Sequence, residues 1–186
     1  MMSVAAKCTA EEALKKLKEG NKQYLDAEKS GGDISLALRQ KTCAEGQFPY
    51  AIIITCADSR VIPESIFNAG IGELFVIRVA GNVIDKNQLG SIEYAADHLG
   101  SRLVVVMGHT HCGAVGAAMS SAPEGFVKYI TDEIKKAIGD EKDEDKACCL
   151  NVMNSIKTIK DSLEIKDGLA VCGAVYHIED GSVEFL

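Results

Sequence analysis

Two short apolar runs, at residues 51–55 and 103–107, predict strands that are buried on both faces. The first run reads AIIIT and the second reads LVVVM. Runs of this kind, rich in β-branched residues, are typical of parallel strands that are covered by helices on both sides. Ligands bind beyond the carboxyl ends of such strands, so the residues directly after each run are the first candidates for a functional site.

Strands and helices alternate along the middle of the chain. One helix is predicted to start at Pro63, and another is predicted to stop at Gly100. Asp180-Gly181 lies between two apolar runs near the end of the chain, which is a signal for a β-hairpin. The predicted strands cover residues 50–55, 74–79, 103–107, 168–178 and 182–185. The expected fold class is α/β, with a mostly parallel central sheet flanked by helices, an N-terminal helical arm and a C-terminal β-hairpin.

The N-terminal arm is predicted from two helices. Thr9 and Glu12 form the pattern of a capping box, and leucines follow at helical spacing. The first helix is therefore expected from Ala10 to about Glu28. Gly31-Gly32 interrupts the pattern, and a second helix is expected from Ile34 to Ala44.

We expect one domain over residues 1–186, because this length suits a single packed core. The arm occupies about residues 9–45, and the α/β core occupies about residues 46–186. The only candidate break is the charged run at residues 139–146, which is interpreted as a solvated loop between two helices.

Charge and cysteine content exclude several classes of protein. The formal charge is −7 and no basic stripe is present, which argues against a nucleic-acid or anionic-membrane partner. No apolar stretch approaches the roughly 20 residues needed to cross a bilayer, and the N-terminus lacks the apolar region of a secretory signal. The seven scattered cysteines do not have the spacing of a disulfide scaffold. Reduced thiols and a cytoplasmic location are expected.

Cys56, His109 and Cys112 follow the two apolar runs. Two thiolates and one imidazole form a ligand set that suits zinc, and three protein ligands leave one coordination position open for chemistry. Taken singly, each residue has a plain structural explanation as a buried thiol or a core histidine. A fourth ligand, Cys148 or Cys149, would instead close the metal site and make the chain a structural or thiol-sensing zinc protein.

Two longer motifs contain these residues, namely Cys56-Ala57-Asp58-Ser59-Arg60 and His109-Thr110-His111-Cys112-Gly113. With the segments at residues 72–78 and 91–95, they resemble the β-class carbonic anhydrases, in particular the plant-like branch, over nearly the whole chain. The resemblance implies one Zn²⁺ per chain, held by Cys56, His109 and Cys112 with water or hydroxide in the fourth position. It implies an enzyme, a carbonic anhydrase, that reversibly hydrates carbon dioxide to bicarbonate and a proton through zinc-bound hydroxide.

The same resemblance assigns roles to five more residues. Asp58 and Arg60 are the expected catalytic pair, in which Arg60 keeps the carboxylate off the metal and Asp58 orients the hydroxide. Gln47, Phe75 and Tyr94 are the expected substrate-binding residues. Core packing alone would also explain the two aromatic residues. The pocket is expected to be completed by a neighbouring subunit, so the chain is expected to be a homodimer or a higher oligomer.

Two other functions remain open on sequence grounds. Some members of the family hydrolyse carbonyl sulfide or carbon disulfide at a similar zinc site. The sequence does not exclude this activity, because pocket shape and access decide which substrate enters. The other alternative is a non-catalytic zinc protein. A closed metal site of that kind would not explain the presence of Asp58 and Arg60.

Overall fold

The computed structural model describes residues 8–26, 31–120, 123–163 and 168–186. Its strands are β1 (Ala51–Thr55), β2 (Leu74–Arg78), β3 (Leu103–His109), β4 (Ala170–Tyr176) and β5 (Val183–Phe185). Its helices are α1 (Ala10–Asp26), α2 (Leu36–Glu45), α3 (Pro63–Ile66), α4 (Lys86–His98), α5 (Gly113–Ser120), α6 (Val127–Ile138) and α7 (Glu144–Ser162). Within these ranges, none of the helices has the length and apolar character that crossing a membrane requires.

The strands form one sheet in the order β2-β1-β3-β4-β5. The first four strands are parallel, and β5 pairs with β4 in the antiparallel direction. The predicted α/β fold with a mostly parallel sheet and a C-terminal hairpin is confirmed. Because β1 and β3 are parallel neighbours, their carboxyl ends meet at one edge of the sheet.

Both faces of the sheet are covered, which explains why every residue of β1 and β3 is buried. Ile53 and Val105 face the side of α1 and α3, where Leu17 and Phe67 pack against them. Alternate strand residues face the other side, which is filled from α4 and α7 by residues such as Ile92 and Val152. The two apolar clusters hold the central strands rigidly and therefore fix the positions of the residues that follow them.

The element boundaries lie close to the sequence predictions, although helix α2 starts at Leu36 rather than at the expected Ile34 because Ser35 is its N-cap. Thr9 and Glu12 form the predicted capping box, with the Thr9 N–H donating to Glu12 and the Glu12 N–H donating to Thr9 Oγ1. Helix α1 starts at Ala10 as predicted, whereas its expected end at Glu28 lies outside the described residues. Helix α3 begins at Pro63, as expected.

Helix α2 differs from the other long helices because none of its residues is buried. Ser35 caps it by accepting a hydrogen bond from the Leu38 N–H, so the helix is well formed locally. Leu36 at its start nevertheless faces solvent at 62% exposure, as does the preceding Ile34 at 73%, whereas Leu38 is half-buried. The arm thus presents an apolar surface that its own core does not cover.

Candidate metal centre

The three predicted ligands meet at the carboxyl edge of the sheet. Cys56 directly follows β1, His109 is the last residue of β3, and Cys112 directly precedes α5. One ligand atom from each lies within 4.8 Å of the other two, and all three residues are buried. The sheet brings the two motifs together because their strands are adjacent and parallel.

The ring of His109 is oriented with one nitrogen towards the cysteines. Its Nδ1 lies 2.8 Å from the Thr110 carbonyl oxygen, which can only accept, so Nδ1 carries the proton. The Nε2 atom is then a free acceptor, and it is buried without a hydrogen-bond partner among the described residues. Metal-ligating histidines show this arrangement, because a hydrogen bond at one ring nitrogen fixes the tautomer that ligates with the other.

The pKa values of the two cysteine thiols shift in opposite directions, because the thiols lie close together. Hydrogen bonding from Cys112 lowers the pKa of Cys56, and the Gly81 N–H acts in the same direction. The same contact with Cys56, together with burial, raises the pKa of Cys112. One thiolate therefore forms readily, and a bound cation would favour loss of the second proton.

This donor set fits a zinc ion. Two soft sulfur ligands and one imidazole nitrogen, buried and mutually close, match the ligand types of protein zinc sites. Cys148 does not join the group, because its Sγ donates to the backbone carbonyl of His109 at 3.4 Å. Cys149 is also absent from the group, so among the described residues the closed four-ligand alternative finds no support.

Asp58 and Arg60 form a two-pronged ion pair beside the cysteines and His109. Arg60 Nε donates to Asp58 Oδ1 at 3.0 Å, and Arg60 Nη2 donates to Asp58 Oδ2 at 2.8 Å. This hydrogen bonding holds the pKa of Asp58 well below its usual range. Because Arg60 also donates to the His111 carbonyl, the pair is tied to the second motif as well as the first.

Arg78 is a residue at this site that the sequence reasoning missed. Its Nε donates to the Cys56 carbonyl at 3.3 Å, and its Nη2 donates to the Asp58 carbonyl at 2.6 Å. The guanidinium thereby fixes the backbone between a candidate metal ligand, Cys56, and a candidate catalytic residue, Asp58. The available signal was a charged residue at the end of β2, since β2 pairs with the strand that precedes Cys56.

The backbone turn at Ala80–Asn82 was also missed. The Gly81 N–H donates to Cys56 Sγ at 3.3 Å, so this turn contacts a candidate metal ligand directly. The sequence Ala-Gly-Asn after a strand indicates a turn, but nothing local identifies its contact with a cysteine 25 positions earlier.

Gln47, Phe75 and Tyr94 lie near one another but away from the metal centre of the same chain. Tyr94 and Phe75 have ring centroids 6.2 Å apart, and Tyr94 shares a surface hollow of about 520 Å³ with Gln47. Gln47 precedes the start of β1, whereas Cys56 follows its end. The register of β2 agrees, because Phe75 pairs with Ile52 near the start of β1. Within one subunit these residues stand towards the opposite end of the sheet.

Comparison with known proteins places this fold and site in one enzyme class. The family model described as carbonic anhydrase matches residues 51–183. A carbonic anhydrase of Mycolicibacterium smegmatis is 36% identical over 189 residues, which cover 92% of this chain and 91% of that protein. The chain belongs to the carbonic anhydrase family, and within it to the β class of these enzymes.

Solved structures agree with this assignment. A Coccomyxa β-carbonic anhydrase in complex with acetazolamide superposes with a TM-score of 0.73 at 28% identity, over 90% of this chain and 83% of that one. One of two tetrameric β-carbonic anhydrases from Sordaria macrospora gives a TM-score of 0.72 at 25% identity, over 81% of this chain and 87% of that one. The central sheet and its flanking helices are therefore the fold of this family.

Proposed function

We propose that this enzyme reversibly hydrates carbon dioxide to bicarbonate and a proton, with zinc held by Cys56, His109 and Cys112. The observation that carries the proposal is the buried group of two sulfurs and an unpartnered imidazole nitrogen beside an ionised Asp58. Zinc bound at an open catalytic site lowers the pKa of its water ligand to about 7, and so supplies a nucleophile at physiological pH.

Asp58 orients the attacking oxygen. Its Oδ2 lies 4.0 Å from His109 Nε2, so the carboxylate stands beside the metal-binding position. With zinc bound, this carboxylate would accept a hydrogen bond from the attacking oxygen and orient it towards the carbon of the substrate. Arg60 holds the carboxylate ionised and restrains it from swinging onto the metal, because both oxygens are engaged by the guanidinium.

A neighbouring subunit completes the pocket with Gln47, Phe75 and Tyr94. Two features support this proposal. These three residues are remote from the metal ligands of their own chain, and helix α2 has no buried residue while lying next to Gln47 in sequence. An apolar arm of this kind suits burial against a second copy of the chain. The tetrameric assembly named for the Sordaria macrospora relatives is consistent with such pairing.

In the completed pocket, Gln47 would donate a hydrogen bond to an oxygen of substrate or bicarbonate through its side-chain amide. Phe75 and Tyr94 would provide the apolar wall that an uncharged linear molecule needs. The chain is proposed to act as one domain in a reducing compartment such as the cytoplasm, since all seven cysteines are free thiols.

The test is a comparison of two substrates on one preparation. Reduced, zinc-loaded protein is mixed with carbon dioxide in a stopped-flow instrument, and hydrolysis of carbonyl sulfide is followed separately by sulfide release. The expected result is fast hydration of carbon dioxide that the Cys112→Ser variant loses together with its zinc. Hydrolysis of carbonyl sulfide without hydration of carbon dioxide would contradict the proposed substrate.

A further inference from the structure

Helix α7 directs three polar side chains towards the metal centre from a helix that contributes no ligand. Cys148, Asn151 and Ser155 are spaced so that they share one helix face. They are only 4%, 2% and 3% exposed, respectively. Buried polar groups in a helix next to an active site require partners, and those partners lie at the backbone around two of the proposed ligands.

Asn151 and Ser155 both bind the turn at Ala80–Asn82. Asn151 Nδ2 donates to the Gly81 carbonyl at 2.8 Å. Ser155 Oγ donates to the Asn82 carbonyl at 3.0 Å. The N–H of that same Gly81 donates to Cys56 Sγ at 3.3 Å. One chain of contacts therefore leads from α7 through the turn to the sulfur of Cys56.

The turn has a backbone conformation that needs external support. Gly81 has φ +66° and Asn82 has φ +46°, so two consecutive residues occupy the left-handed region. Asn82 incurs a steric penalty there that glycine does not. A Cβ atom on Gly81 would lie 2.6 Å from Ile134 Cδ1, so the turn is also enclosed closely on its outer side.

We propose that Asn151 and Ser155 are positioning residues that hold the Gly81 N–H against the Cys56 thiolate and thereby set the zinc affinity of the site. This inference rests on the proposed zinc function of Cys56. An N–H donor at a metal-bound sulfur fixes the direction of the sulfur lone pairs and stabilises the negative charge that the ligating sulfur carries. If the turn moves, the thiolate loses both effects while the three ligands themselves remain in place.

Two variants and one matched control test the proposal. Asn151→Leu keeps the approximate side-chain volume but removes the donor to Gly81, and Ser155→Ala removes the donor to Asn82. Asn154→Leu makes the same chemical change on the same helix, at a half-buried position whose side chain makes neither of these two hydrogen bonds. Zinc affinity is measured by competition with a chromophoric chelator. The cobalt-substituted proteins are compared by the sulfur-to-cobalt charge-transfer band.

The expected result is a zinc dissociation constant about 10- to 100-fold higher in Asn151→Leu, with a smaller increase in Ser155→Ala. Both variants shift the charge-transfer band, and Asn154→Leu changes neither quantity. Ser155→Thr retains a hydroxyl group and restores the affinity that Ser155→Ala loses. If Asn151→Leu does not fold, the pair Ser155→Ala and Ser155→Thr carries the test.

Two outcomes would overturn the proposal, and they are distinguishable. Variants that unfold at a lower temperature but keep the zinc affinity and the cobalt band of the wild type would show that these residues only support the fold. A wild-type protein that neither binds zinc stoichiometrically nor hydrates carbon dioxide would remove the proposed function and this inference together.

Discussion

Arg60 binds both oxygens of the Asp58 carboxylate through parallel hydrogen bonds of 3.0 and 2.8 Å. The second oxygen, Oδ2, also lies 4.0 Å from Nε2 of His109. The Asp58 carboxylate is thus held in its ionised form between the Arg60 guanidinium and the proposed metal ligand His109. This geometry places Oδ2 beside the proposed metal position and supports the proposed role of Asp58 in orienting the attacking oxygen.

Replacing Asp58 with asparagine tests that task. The Asp58→Asn variant keeps the side-chain shape but loses the negative charge that accepts from the nucleophile. We expect kcat for carbon dioxide hydration to fall about 10²-fold or more, with the zinc content unchanged. Stopped-flow rates and metal analysis on the same sample provide the measurement. Asp132→Asn, in an exposed ion pair with Lys128, is the matched control. Wild-type kcat in Asp58→Asn would remove Asp58 from the mechanism.

Mixing two inactive variants tests whether subunits share a pocket. In a homodimer of either variant, Gln47→Ala or Asp58→Asn, both active sites carry the substitution and should lose activity. If Gln47 acts in the site of the partner, a mixed dimer contains one intact site and one doubly altered site. Unfolding and refolding equal amounts together should then restore about a quarter of the wild-type activity, given random pairing about a two-fold axis. Activity no higher than the mean of the two parents would show that each chain builds its own pocket.

Asn21 attaches helix α1 to the rest of the fold. Its Nδ2 donates to the carbonyls of Ile66 and Gly181, and its Oδ1 accepts from the Val183 N–H. Asn21→Ala leaves these three backbone groups without their partner in a position that is only 6% exposed. We expect the free energy of unfolding to fall by about 3 kcal/mol, measured by urea denaturation.

Lys22→Ala, on the exposed side of the same helix, serves as the control for Asn21 and should change stability by less than about 0.5 kcal/mol. Equal stability of the Asn21→Ala variant and the wild type would mean that α1 docks through apolar contacts alone.

The buried thiol of Cys148 predicts a loss of stability at alkaline pH. Burial raises the pKa of Cys148 to about 12, compared with 9.0 for an ordinary thiol. The folded state therefore binds this proton more tightly than the unfolded state. The resulting stabilisation is complete below about pH 9 and is lost as the pH rises towards 12, by at most about 1.4 kcal/mol per pH unit.

Urea unfolding at several pH values between 8 and 11 measures this slope. Cys148→Ala should show a flatter decline than the wild type, whatever its stability at pH 8. Cys43→Ala removes an exposed thiol and should keep the wild-type slope. The same slope in all three proteins would contradict the assignment of this proton to Cys148.

The group of Cys56, His109 and Cys112 was predictable because its signal is local. Cys56 comes directly after the apolar run of β1, and His109 is the last residue of β3. Both runs have the pattern of buried parallel strands. Parallel pairing of those runs then brings their ends together without any further information. The closeness of Asp58 and Arg60 to Cys56 was also predictable, because all three residues lie within the five-residue segment 56–60. The capping box at Thr9 and the start of α3 at Pro63 are equally local.

The support for the site was not predictable, because it depends on contacts distant in sequence. Asn151 lies 70 positions from Gly81, and nothing in a helical pattern distinguishes it from a solvated asparagine. Arg78 has no sequence feature that distinguishes it from any charged residue at the end of a strand, and its contacts with the Cys56 and Asp58 carbonyls appear only in the folded chain. The placement of Gln47 relative to Cys56 is a different case, because their distance within one chain says nothing about their distance across a subunit interface.

Zinc-dependent catalysis by this site is tested by the rate of carbon dioxide hydration as zinc is returned to metal-free, reduced protein. Stopped-flow rates are recorded at increasing zinc content, and zinc per chain is quantified in each sample. We expect a rate that rises in proportion to zinc and reaches its plateau at one ion per chain, with no recovery in Cys112→Ser. A full zinc complement without turnover would contradict it.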